Sequence, residues 1–162
     1  MVVFALLAMA CGGMADAPVP TITVQHKYGS PDDEYVAIAE VVPGFAGLYL
    51  DPDHTLVMML VDASQANRAR IGVTQVFGDD TSNARVHAAK FDSIQLVGWK
   101  YSFGMSCWLT GVVALDADEV RNLVVVGATA DASPDAIHAC ASAQGIPADA
   151  LDIVADAPAV LQ

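Results

Sequence analysis

One stretch occurs twice, and it constrains the fold more than any other feature of the chain. Gly44 to Asp62 reads GFAGLYLDPDHTLVMMLVD, and Gly111 to Ala128 reads GVVALDADEVRNLVVVGA. Each copy starts at a glycine and runs apolar to Leu-Asp-x-Asp (Leu50, Asp51, Asp53; Leu115, Asp116, Asp118). A polar bend follows, longer in the second copy, and an apolar run then opens on Leu-Val (Leu56, Val57; Leu123, Val124). Such runs around an acidic turn read as β-hairpins, because neither arm is long enough for a helix.

The flanks of the two hairpins also correspond. Before the first, Ser30 caps a helix with Pro31 and three acids in its opening turn, and Tyr35, Ile38, Ala39 and Val42 form its apolar stripe. After it, Ser64 is expected to cap a helix over 65–77, striped by Ala66, Ala69, Val73, Val76 and Phe77 and ended by Gly78. A third strand is expected over 85–91. The second copy repeats the order. Asp92 or Ser93 caps a helix carrying Leu96, Trp99, Phe103 and Cys107, and Ser133 and Pro134 start another with Ile137, Cys140 and Ala141 inward. Leu151 to Ala155 is the last strand. Gly98 and Gly104 within a helix each cost about 1 kcal/mol relative to Ala, or mark close approach to another backbone.

The expected fold is therefore α+β: tandem α-β-β-α-β units over 30–91 and 92–158, each a three-stranded sheet with two helices on one face. Residues 12–29, rich in Ala, Pro and Gly, read as a linker, within which Thr21 to Gln25 could add a short edge strand. Residues 159–162 are a tail. The apolar run Leu123 to Gly127 predicts a strand buried on both faces, and hence two units packed on one another.

Composition narrows the function classes. At 54% hydrophobic and 16% charged the chain has ample core material. A net charge of −12, with seven Lys and Arg scattered along the sequence, argues against a nucleic-acid partner. Met1 to Ala10 (MVVFALLAMA) reads as the apolar part of a secretory signal. Cys11 directly after it resembles a lipobox cysteine, so residues 1–11 are expected to direct export and lipidation at Cys11, giving a periplasmic or cell-surface protein held by a lipid anchor.

Tandem α-β-β-α-β units resemble the pro regions of the alpha-lytic protease and streptogrisin family of secreted bacterial serine proteases. The residues that carry the resemblance are Pro43-Gly44-Phe45-Ala46-Gly47 with Leu50-Asp51, and Gly111-Val112-Val113 through Arg121-Asn122-Leu123-Val124-Val125-Val126-Gly127. It spans roughly Tyr35 to Pro158. The resemblance implies a non-catalytic module that folds or inhibits a secreted serine protease. The docking strand would lie in the second unit's sheet, at Leu123, Val124, Val125, Val126 and Gly127, and the tail Asp156 to Gln162 would enter the protease cleft. No Gly-Asp-Ser-Gly-Gly follows in this sequence, so the action expected is in trans. The alternative is a cell-envelope lipoprotein with a structural or unrelated binding role.

Candidate chemistry is sparse. Asp51, Asp53 and Asp62 fall at calcium-loop positions 1, 3 and 12, but Thr55 is a poor ligand at position 5, and Leu56 occupies the position that needs glycine. Asp is also simply a good turn residue. His26, His54, His87 and His138 lie on four elements with no pair at ligand spacing. There is no Gly-x-Ser-x-Gly, no glycine-rich phosphate loop, and no Gly-x-x-Gly clamp set between two helices in basic surroundings, as a KH domain needs. The expectation is no enzyme, no cofactor and no metal. With Cys11 acylated, Cys107 and Cys140 remain on two helices of one unit. They are either a disulfide closing a loop of about 33 residues or two buried thiols.

Overall fold

The computed structural model describes residues 21–25, 29–78 and 81–155; Cys11, His26 and the tail 156–162 lie outside them. Within the first unit the elements are α1 (Pro31–Val41), β1 (Phe45–Leu50), β2 (Leu56–Leu60), α2 (Ala66–Phe77) and β3 (Arg85–Ala88). The second contains α3 (Ser93–Ser106), β4 (Val112–Asp118), β5 (Leu123–Ala128), α4 (Pro134–Ala143) and β6 (Leu151–Ala155). Each unit has a three-stranded mixed sheet, ordered β1-β2-β3 and β4-β5-β6. In both, the hairpin is antiparallel and the last strand returns parallel to the middle one. The protein is an α+β fold of two similar units.

The duplication reaches down to backbone detail. Gly44 and Gly111, which open the two copies, have φ of 81° and 83°, a left-handed conformation that glycine takes without steric cost. Each accepts a 2.8 Å hydrogen bond closing its hairpin, from Val61 to Gly44 and from Thr129 to Gly111. Register slips at the same place in both, between Phe45 and Gly47 and between Val112 and Ala114. These are β-bulges, which bend and twist the strand that carries them.

Two cores form, one per unit. Ile38, Val42, Phe45, Met58, Leu60, Ala69 and Val73 gather between α1, α2 and the first sheet. Leu96, Phe103, Val124, Val126, Ile137 and Ala141 gather between α3, α4 and the second. The helix ends follow the capping chemistry: Ser30 with Asp33, and Asp92 with Gln95, close reciprocal capping boxes.

Several expectations are corrected. Thr21 to Gln25 is not a strand; the Gln75 side chain clamps it, accepting from Val24 N at 2.9 Å and donating to Ile22 O at 2.9 Å. Ser64 does not cap α2, whose N-cap is Gln65 with no side-chain cap bond; Asp62 caps the turn before it. Its carboxylate accepts from Ser64 N at 2.9 Å, and a short 3-10 turn, Ala63–Gln65, precedes the helix. Strand β3 ends at Ala88, short of the expected Phe91: Ala89 N still donates to Leu60 O at 2.9 Å, but Lys90 N and Phe91 N both turn to Asn122. Neither helical glycine meets a foreign backbone: a Cβ at Gly98 would touch nothing within 4 Å, and one at Gly104 only the Leu115 side chain. The strand buried on both faces is β2, where Val57, Met58, Met59 and Leu60 are all buried. On β5, Val124 and Val126 are buried, but Leu123 and Val125 are half-exposed. Tyr49 on β1 and His87 on β3 meet across β2 in a 3.1 Å hydrogen bond, and this bridge shields the back of the first sheet over Val57 and Met59.

The units do pack together, through α1 against α3 and through the bend of the second hairpin against β1. Val36 of α1 packs on the core of the second unit.

Candidate functional site

The second unit's sheet was the part of the chain singled out for docking. Residues Leu123 to Gly127 form β5, which is hydrogen-bonded to β4 on one side and β6 on the other. A central strand has no free ladder groups, so the docking strand expected there is corrected. The second sheet's edges are β4 and β6. Among the described strands nothing pairs with the outer side of either. Strand β6 is short, Leu-Asp-Ile-Val-Ala, and is followed directly by Asp156. Its residues are matched with β5 from Val124–Leu151 through Ala128–Ala155.

The face of this sheet turned away from the helices mixes apolar and acidic groups. Register puts Asp116, Val125 and Asp152 in one row across three strands. Arg121 donates to Asp118 at 2.8 Å and to Asp152 at 2.6 Å. Burial disfavours ionisation of Asp118, but the hydrogen bonds from Arg121 outweigh it and lower its pKa. The first bend is built likewise: Arg85 on β3 donates to Asp51 at 2.5 Å and to Asp53 at 2.9 Å. Hydrogen bonds with Asp51 and Arg85 hold the Asp53 carboxyl well below the usual carboxylate range. Each acidic bend therefore already has a cation, supplied by an arginine. Among the described residues no group of three or more His, Cys, Asp or Glu is arranged to hold a metal ion.

The seam between the units collects a second set of polar groups. Lys100 on α3 donates to Asp32 on α1 at 2.7 Å and to Asp116 on β4 at 3.3 Å. Glu119, in the second bend, lies against Gly47; any Cβ there would come within 2.4 Å of its Cγ. Gly47 has φ of 121°, so a side chain is excluded both by conformation and by space. Burial raises the Glu119 pKa from 4.5 to about 7, and the neighbouring Asp32, Asp116 and Asp118 add to the rise. Tyr35 donates to Leu48 O at 3.2 Å, and burial, with the charges of Glu119 and Asp32, raises it to about 12.

Asn122 is the residue that sequence reasoning missed. It is buried at the end of the second bend with φ of 58°, a conformation Asn tolerates better than most residues. Its Oδ1 accepts from Lys90 N at 2.7 Å and Phe91 N at 2.8 Å, and its Nδ2 donates to Phe91 O at 2.8 Å. These bonds hold the segment that follows β3. The one signal available was a bend residue in a run otherwise suited to solvent, and its partners are too distant in sequence to foresee.

The cysteines are settled: Cys107 and Cys140 form a disulfide across a separation of 33 residues, tying the end of α3 to α4. Ser106 sits on the last turn of α3 beside this bonded sulfur, not on a strained turn. His54, His87 and His138 stay on separate elements, the first bend, β3 and α4. An open cleft of about 520 Å³ at the end of the first sheet is lined by Leu48, Leu50, His54, Thr55, Leu56, Asn83 and Ala84. It pairs its one histidine with no carboxylate or nucleophile beyond Thr55. No protein-family model matches the chain, and no curated protein matches it in sequence.

Proposed function

We propose that this chain is an exported, non-catalytic module that binds a protein partner by adding the partner's strand to the outer edge of β6. The partner class is a secreted serine protease of the chymotrypsin fold, inhibited or helped to fold in trans. The observation that carries this reading is a sheet edge, β6, with which no described strand pairs on its outer side and which leads into the C-terminal segment. Strand addition supplies main-chain hydrogen bonds along the edge, while flanking side chains choose the partner. The following residues, 156–162, would extend from the same edge toward the cleft of a docked protease, as the resemblance to protease pro regions implies. In this reading the apolar leader directs export, and Cys11 supplies a lipid anchor.

The test is titration of the protein into a panel of secreted chymotrypsin-fold proteases, scoring inhibition and recovery of activity from denatured protease. Inhibition or rescue of at least one member is expected, and it should weaken when residues 156–162 are removed. No inhibition and no rescue across the panel would reject the reading.

A further inference from the structure

We propose that the chain forms a homodimer through the outer face of α3, packed antiparallel on the same helix of a second copy. Ile94, Tyr101, Met105 and Trp108 are 46%, 53%, 87% and 59% exposed. Ile94, Gly98, Tyr101 and Met105 follow a four-three-four spacing, which at 100° per residue keeps these four within roughly 30° of one line, and Trp108 lies two residues beyond the end of the helix. The opposite face of α3 carries Leu96 and Phe103 into the core. This helix thus presents two seams, one filled and one open.

Three observations choose a second copy as the occupant. The first is charge. Ser93 to Leu115 is the longest stretch of the sequence without a carboxylate, in a chain of net charge −12. Two copies of so acidic a protein repel least where this stretch faces itself. Its cation, Lys100, is turned to Asp32 and Asp116 of the same chain, so the face offers no charge to an acidic partner.

The second is shape. A two-fold axis through Tyr101 sets Ile94 toward the end of the other copy's α3, where Trp108 follows, and Gly98 beside its Met105. The most exposed side chain of the stripe then falls on the one position that has none. A Cβ at Gly98 meets nothing within 4 Å, so the space is open in a single copy. A self-complementary patch of this kind is what a closed two-fold contact requires.

The third is area. At about 200 Å² for a large side chain, the four exposures offer roughly 500 Å² per copy, or about 1,000 Å² across the pair. That is the lower end of specific interfaces, so the dimer should dissociate on dilution.

Sedimentation velocity of the full chain over a wide concentration range tests this. A monomer–dimer equilibrium is expected, with Met105→Glu raising the dissociation constant at least tenfold at unchanged circular dichroism. Gly98→Leu distinguishes a seated seam from a merely sticky surface. Extra apolar area strengthens unspecific association, whereas filling the Met105 socket weakens the dimer several-fold. Tyr101→Cys should form a disulfide-linked dimer on mild oxidation, since the two-fold brings that position against itself. A monomer at every concentration, association unchanged by Met105→Glu, or association strengthened by Gly98→Leu would each overturn the proposal.

Discussion

At the scale of single residues, the seam depends on two side chains from the same bend. Asn122 satisfies three backbone groups of the segment joining the units, two donors and one acceptor. Truncation to Ala leaves those groups buried without partners and puts an ordinary side chain in the left-handed region. A loss of about 2–4 kcal/mol is expected for Asn122→Ala, measured by urea unfolding. Glu119 sets a pH dependence whose sign follows from its raised pKa. Between its ordinary value of 4.5 and about 7, the folded protein holds a proton that the unfolded chain releases. Stability should therefore fall as pH rises through that window and level off above it. Thermal unfolding of Glu119→Gln against the parent isolates the effect, and the variant should lose this part of the slope. The carboxylates of Asp118 and Asp149, with lowered pKa values, act in the opposite sense, and their contribution is lost in more acidic solution.

At the scale of elements, the helices and hairpins were legible because their signals are local. Capping residues, apolar stripes and the two opening glycines place α1, α3, α4 and both hairpins from nearby sequence alone. What escaped is what distant residues decide. The segment after β3 is held by Asn122, and a 3-10 turn capped by Asp62 intervenes before α2. Nothing in the apolar run Leu123 to Gly127 reveals whether it is central or an edge. That depends on the last strand returning parallel on its far side, and apolar runs suit either position. Likewise β2, not β5, is covered on both faces, because a Tyr–His bridge from its two neighbouring strands lies over it. The disulfide could be proposed but not chosen from sequence, since pairing needs α3 and α4 side by side. Reduction of Cys107–Cys140 frees a 33-residue loop in the unfolded chain and should lower stability by about 3–4 kcal/mol. Denaturant midpoints with and without reductant measure it, and the loss should fall mainly on the second unit.

At the scale of the whole molecule, the surfaces that the two proposals use both lie on the second unit. The first sheet is covered on its helix face by α1 and α2, and its back is partly shielded by the Tyr49–His87 bridge and Glu119. The second sheet keeps an acidic and apolar face and two edges that no described strand pairs with, and α3 keeps an open side. The edge of β6 and the stripe of α3 are different surfaces, so the proposed protease binding and the proposed dimerisation can be tested separately. Met105→Glu should leave protease inhibition intact within about twofold, as inhibition by dilute monomer would show. Removal of residues 156–162 should leave the dimer intact.

The meeting of α1 with α3 has a further consequence. These are the opening helices of the two copies, so the halves join through corresponding parts, as two subunits would. The short segment from Ala89 to Asp92 turns that association into an intramolecular one, with an effective concentration on the order of millimolar. A joint held at such concentration needs little intrinsic affinity. That is why it can accommodate a half-buried carboxyl and one lysine among three acids, groups that a freely dissociating pair would have to exclude.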